Sequence, residues 1–192
     1  MPALVQNGRL DVPGMNTLGR ALFSEMFEDR HTPANLARYL FLDPHATRSY
    51  RHWYDSAPQI VALLRTEAGR TPQDRNLSNL VGELTTGSQV FGALWASHDV
   101  REHRTGTKAV THPVVGNLDL SFDALDVSSE RGLQLIAFSA EPRSSTADAL
   151  RLLAAGPPNR PPPAPSAATP NSCTSSPDIP GRASIAGIAH SS

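Results

Sequence analysis

The sequence predicts an α+β fold, a five-stranded antiparallel sheet with helices inserted between its second and third strands, and three observations carry that expectation. Near the start, ALVQNGRLDV places Asn7 and Gly8 between two alternating runs, the strongest short-range signal for a hairpin. From Asp43 to Trp95 the apolar residues recur at three and four residues, the period of helices with one dry face. After Trp95 the period falls to two, and runs of strand length are separated by turn residues.

Each element can be justified in order. The Asn7-Gly8 pair predicts a type I′ turn, with positive φ at both residues and short strands on either side. Pro13 and Gly14 are expected to end the second strand, since proline removes a ladder donor, and Asn16 to cap a short helix carrying Leu18, Ala21, Leu22 and Phe23. Asp43 with Pro44 then opens a long helix whose apolar face is Tyr50, Trp53, Ala57, Ile60, Val61, Leu64 and Ala68. Pro58 lies inside it, and a ring clash with the carbonyl of Tyr54 predicts a kink or a break. Gly69 closes this helix. Thr71, Pro72 and Asp74 open the next, with Leu77, Leu80, Val81 and Leu84 inward and Gly87 at its end. Ser88 starts a third, carrying Phe91, Leu94 and Trp95.

In the later strands, Thr105, Gly106 and Thr107 are expected to form one hairpin turn and Gly116 with Asn117 another. Leu118, Leu120 and Phe122 alternate with Asp119, Ser121 and Asp123, which gives one dry and one wet face. The last strand has Leu133, Leu135 and Ala137 on one side and Ile136, Phe138 and Ala140 on the other, the pattern of a central strand covered on both faces. Pro142 stops it, and Ser144 or Ser145 caps a closing helix with Ala147, Leu150 and Leu153 inward. A hairpin, a block of helices and a three-strand meander together describe a PAS-like module.

Composition divides the chain into a domain over 1–155 and a tail over 156–192. The tail holds nine of the seventeen prolines among small and polar residues, too little apolar surface to offset its ordering entropy, so it is expected to be disordered. The domain is long enough to bury about two-thirds of its unfolded surface. A formal net charge of −1 and a pI near 6.6 exclude the basic footprint of nucleic-acid binding through this chain as a whole. The single cysteine, Cys173, cannot form an internal disulfide. No apolar run approaches the ~20 residues of a bilayer span, and the start lacks the pattern of a secretory signal, so a cytoplasmic protein without membrane contact is expected.

Several motifs in one order then point to a family. They are His98, Asp99 and Val100; Gly106, Thr107 and Lys108; the run His112 to Leu120; and Ser139 to Ser144, preceded by LRTEAGR from Leu64 and LVGEL from Leu80. Over roughly Leu4 to Ala154 the chain resembles the ligand-binding half of the MmyB-like transcription regulators. It departs from them at Pro13, where an uninterrupted strand end usually stands. The resemblance implies the PAS-like fold and a pocket between the sheet and the inserted helices that accepts a fatty acid or a similar apolar or amphiphilic molecule. It also implies an N-terminal helix-turn-helix of the XRE type that binds DNA. The first hairpin begins at Ala3, so that part is expected to be missing from this chain and DNA to be reached only through it.

The candidate pocket wall is Leu40, Tyr50, Trp53, Ile60, Leu64, Phe91, Leu94 and Trp95 from the helices, with Val100, Val110, Leu120 and Leu135 from the strands. Within it Trp53, Phe91 and Trp95 are the preferred ligand contacts, because large aromatics offer broad contact at low rotamer cost. Arg65, Arg101 and His98 are the polar candidates for a carboxylate head group. No catalytic residue is expected. His98 and Asp99 are adjacent on a strand and point to opposite faces, and no nucleophile has a recognisable elbow. No metal or other cofactor is expected either, since His98, His103 and His112 lack ligand spacing. His112 with Pro113 is expected to form a bend. The leading expectation is a sensor domain that works as a homodimer. The alternatives are a dimerisation or protein-interaction module with a filled core, and a hydrolase built on a histidine.

Overall fold

The computed structural model describes residues 1–27, 34–97, 105–130 and 132–156, all within one unit, Met1–Asn159. The predicted tail lies, from Pro157 onward, outside the described residues. The fold is α+β as expected. Five strands, β1 (Ala3–Asn7), β2 (Gly14–Met15), β3 (Thr105–His112), β4 (Gly116–Asp126) and β5 (Leu133–Ser139), form one antiparallel sheet in the order β2-β1-β5-β4-β3. Between β2 and β3 come α1 (Thr17–Leu22), a 3₁₀ turn at Ser24–Phe27, α2 (Leu36–Leu42), α3 (Ala46–Ser49), α4 (Trp53–Arg70), α5 (Arg75–Gly87) and α6 (Gln89–Ala96); α7 (Ser145–Ala155) follows β5.

The opening hairpin exists, but its turn is not type I′. Neither Asn7 nor Gly8 takes positive φ; that conformation falls on Leu10, at φ 66°. The Leu10 amide donates to the Asn7 carbonyl and the Asn7 amide to that of Asp11, which closes a three-residue loop of Gly8, Arg9 and Leu10. A leucine in the left-handed region costs about 1 kcal/mol, offset here because its side chain is 1% exposed. Asp11 accepts from Asn7, Arg9 and Asn35, and Arg9 reaches on to Asp74, so the loop is fastened to the residues that cap α2 and α5. Burial pushes the Asp11 carboxyl up, but its three side-chain hydrogen bonds outweigh this and hold it below the ordinary carboxylate range. The second strand lies after Pro13 rather than before it, and is only Gly14–Met15.

Among the helices, Asn16, Asp74, Ser88 and Ser144 cap as their side chains predict, each accepting a backbone N–H of the first turn. The long helix differs. It begins at Trp53, and the stretch from Asp43 is divided by the break at Tyr50–His52 into short α3 and long α4. Pro58 therefore sits early in α4, exposed and within a continuous helix. It lies on an exposed stretch of the helix beside Tyr54, which is 82% exposed. Helix α2, capped by Asn35, was not distinguished by periodicity.

Thr105, Gly106 and Thr107 form no turn; they lie in β3, with Gly106 opposite Phe122. A Cβ on Gly106 would meet the Phe122 ring at 3.0 Å, so glycine is there for close approach rather than for a bend. The β3–β4 turn is Pro113–Val115, between the paired His112 and Gly116, with Gly116 at φ 77° and Asn117 already in the ladder opposite Thr111. His112 is buried: its Nε2 donates to the Ala21 carbonyl and its Nδ1 accepts from the Val114 amide, which fixes the bend. As predicted, Leu118 and Leu120 are buried while Asp119 and Ser121 are exposed, and β5 is central in the sheet. Its inner face is buried. On the outer face Ala137 is buried and Leu133 and Leu135 are half-buried.

Pro142 ends β5, so the first residues of β4 have no strand on that side. Helix α7 packs there instead, and the buried Thr146 Oγ1 accepts the Asp119 amide at 2.9 Å. Thr146→Val keeps the shape but leaves that N–H facing a methyl group. It is expected to cost about 1–2 kcal/mol in urea unfolding, with Thr146→Ser near wild type.

Candidate functional site

Paired residues in a sheet share a face, so register decides what looks at the helices. Leu4 lies opposite Ile136, Ile136 opposite Ala124, Phe138 opposite Phe122, Lys108 opposite Leu120, and Val110 opposite Leu118. These residues form the inner face. Across from it, α4 presents Gln59, Ile60 and Leu63, and with Phe23, Met26, Leu36 and Tyr50 they enclose an apolar chamber of about 70 Å³. The chamber shares Gln6, Leu63, Phe122 and Ile136 with a wider groove of about 380 Å³. That groove runs under the C-terminal half of α4 and is edged by Thr66, Glu67 and Arg70 on one side and by Ala124, Asp126, Val127 and Gln134 on the other. Its volume is within the range of small-molecule sites, about 300–1,000 Å³.

Few polar groups face this space. Lys108 is one: its Nζ donates to Gln59 Oε1 at 3.2 Å and lies 5.6 Å from the centroid of the Phe122 ring. Among the described residues no carboxylate pairs with it. Burial away from water pushes its pKa down from the ordinary lysine value of 10.5 to about 8. Gln6 is buried, lines both spaces, and makes no side-chain hydrogen bond to the described residues. Tyr50 is fully enclosed, and burial, then the neighbouring Tyr39, push its phenol above the ordinary range. Beside the chamber, Tyr39 donates to Glu25 or to Ser49, and Ser49 bonds Glu25 in turn. Burial pushes the Tyr39 phenol up to about 12.

The sequence-predicted contacts are brought together, but elsewhere. Phe41 meets Trp53 edge-on at 5.8 Å and Phe91 edge-on at 5.0 Å; Phe91 stacks on Trp95 at 5.7 Å, and the Arg65 guanidinium lies 5.1 Å from the Trp95 ring. Trp53 Nε1 donates to the Leu40 carbonyl at 2.9 Å. This chain of rings joins α2, α4 and α6, and none of its members lines the chamber or the groove. The reason is helical phase. Arg65 comes two residues after Leu63 on α4, so the two side chains leave the helix in directions about 200° apart. His98, Arg101 and Val100 lie outside the described residues.

Of the wider predicted wall, Tyr50, Ile60 and Val110 do line the chamber. Leu40, Leu64 and Leu120 are buried in the packed core, and Leu94 is half-buried against it. Leu135 cannot contribute, since it pairs with Val5 and Leu125 on the outer face. Lys108, Gln59, Gln6 and Leu63 were missed. Parity could have found Lys108: in β3 it falls in phase with Val110 and His112, both buried, and only the expectation of a turn at Gly106 hid that.

With this geometry in view, comparison with known families gives a match over residues 1–153 to the MmyB-like transcription regulator ligand binding domain. The chain belongs to this family. No curated protein matches it. Membership makes the chain a ligand-binding domain of a transcription regulator, and the chamber with its groove is the enclosed space in which such a domain could hold a small molecule. Among the described residues no cluster of three or more His, Cys, Asp or Glu side chains could hold a metal ion, and no helix is long and apolar enough to cross a membrane.

The buried ammonium has a consequence for stability. Below pH 8 both folded and unfolded chains hold the Lys108 proton, and the folded state bears the full cost of burying the charge. Between about 8 and 10.5 the unfolded chain holds more protons, so this cost falls as pH rises. Lys108→Met is therefore expected to stabilise the domain by about 1–3 kcal/mol at pH 7, and the gain over wild type should shrink towards zero by about pH 10.5 in urea titrations.

Proposed function

We propose that this chain is the effector-sensing part of a transcription regulator, and that its effector is a fatty-acid-like apolar or amphiphilic small molecule held between α4 and the inner face of the sheet. The observation that carries this is a pair of adjoining spaces between α4 and the sheet, a small apolar chamber and a wider polar-edged groove, which share Gln6, Leu63, Phe122 and Ile136. A molecule with one polar head on an apolar chain matches walls that are chiefly apolar and carry a few polar groups.

In this reading the domain is not catalytic and acts in the cytoplasm as a homodimer, with DNA contacted by a helix-turn-helix part of the regulator rather than by these residues. Control requires the effector to bind one dimer geometry more tightly than the other, since a ligand shifts an equilibrium only by its differential affinity. The near-neutral charge of the chain agrees with a sensing role and with DNA contact elsewhere.

The test fills the groove. Ala124 is half-buried on its floor. Dodecanoate at a large excess over its Kd is expected to raise the melting temperature of the wild type by several degrees and to give a one-to-one complex in native mass spectrometry. Ala124→Phe should keep the fold and lose both responses. No shift with alkyl amphiphiles of any length between eight and eighteen carbons would overturn the proposal.

A further inference from the structure

We infer that Lys108 is the head-group anchor of this site, so that the effector carries a single carboxylate, held by the Lys108 ammonium and the amide of Gln59, on an apolar chain. This deepens the reading above and rests on it. It moves the head-group role from Arg65, which lies over Trp95 in the helical layer, to a residue on the sheet.

Three observations converge. First, a lysine points into a space whose other walls are chiefly apolar, among them Leu4, Phe23, Ile60, Val110 and Phe138. A cation there loses hydration, and its described contacts are one neutral amide and the face of Phe122, which return only part of that loss. Second, the group bonded to it is a neutral amide rather than an acid. Gln59 gives its carbonyl oxygen to Lys108, which leaves its N–H groups to donate. An ammonium beside a primary amide is a donor-rich set, and it suits an acceptor-only group such as a carboxylate. Third, the acidic residues of the site, Glu67 and Asp126, stand at the groove instead of in the chamber, so they do not neutralise Lys108.

The same arrangement sets selectivity. A carboxylate that replaces water at Lys108 forms a charge-assisted hydrogen bond in a water-poor setting, whereas an alcohol of equal length leaves the cation uncompensated. A cationic amphiphile places like charges together. The chain of the effector then runs past Leu63 and Phe122 towards the groove.

The experiment compares decanoate, decanol and decylammonium on the wild-type chain and on Lys108→Met by calorimetry, with the ¹³Cε resonance of Lys108 as a second readout. Decanoate is expected to bind the wild type at least about tenfold more tightly than decanol and to shift the Lys108 resonance, while decylammonium binds weakest. In Lys108→Met the preference for the acid should vanish and decanol should bind as well as before or better. If Lys108→Met keeps decanoate affinity within about twofold while both amphiphiles still bind, the anchor assignment is overturned and the cavity reading survives. If neither decanoate nor decanol binds the wild type, the cavity reading falls and the anchor with it. Should the variant fail to fold, an unmoved Lys108 resonance at saturating decanoate overturns the assignment by itself.

Discussion

A twisted sheet has to be covered by straight helices, and everything else in this domain is an accommodation to that. The inner face brings Leu4, Ile136, Phe138, Phe122, Leu118, Leu120 and Val110 to one side, and burying it is the main driving force of the fold. An eighteen-residue helix such as α4 cannot follow the twist along its whole length. It seals the sheet around Ile60 and stands away from it by Glu67 and Arg70, and the groove opens there. The ring chain of Trp53, Phe41, Phe91 and Trp95 joins α2 and α6 to α4, and its members line neither the chamber nor the groove.

Polar groups are placed so that the apolar cover can close. Fastening the β1–β2 loop through Asp11 and Arg9 to the caps of α2 and α5 fixes where the helical block starts. At the other end, Thr146 satisfies the β4 edge that β5 leaves open, and α7 can pack on it without an orphaned donor. His112 closes the β3–β4 turn against α1 through two backbone bonds. Lys108 is the exception to this economy. It is a half-buried cation whose described partners compensate it only in part, in the chamber between α4 and the sheet. Destabilising groups of this kind concentrate at functional sites, where a ligand supplies what the fold withholds.

Much of the architecture was legible because it is written in local chemistry. Asn16, Asp74, Ser88 and Ser144 announce helix starts through the hydrogen bonds their side chains make. The alternation of Leu118 to Asp123 states which side of β4 is dry, and the double apolar pattern from Leu133 to Ala140 states that β5 is central. What was misread involves backbone conformations that depend on distant partners. Asn7-Gly8 has the composition of a tight turn, yet the positive φ belongs to Leu10, because burying that side chain outweighs the local strain. Gly106 looks like a turn residue and is a strand glycine that makes room for Phe122. Pro58 looks like a break and is tolerated, because the helix begins only at Trp53 and Pro58 lies early in it on an exposed face.

The site shows where local information stops. Residue type alone settled that the chain is α+β and that its motifs are those of MmyB-like ligand-binding domains, since composition, period and spacing are properties of neighbours in the chain. Which of those side chains meet was decided in three dimensions. Helical phase kept Arg65, Phe91 and Trp95 out of the chamber, and strand parity turned Lys108 and Gln6 into it. A cavity is the gap left between two surfaces that do not match, and no single stretch of sequence specifies a mismatch between elements some fifty residues apart; only their packing does.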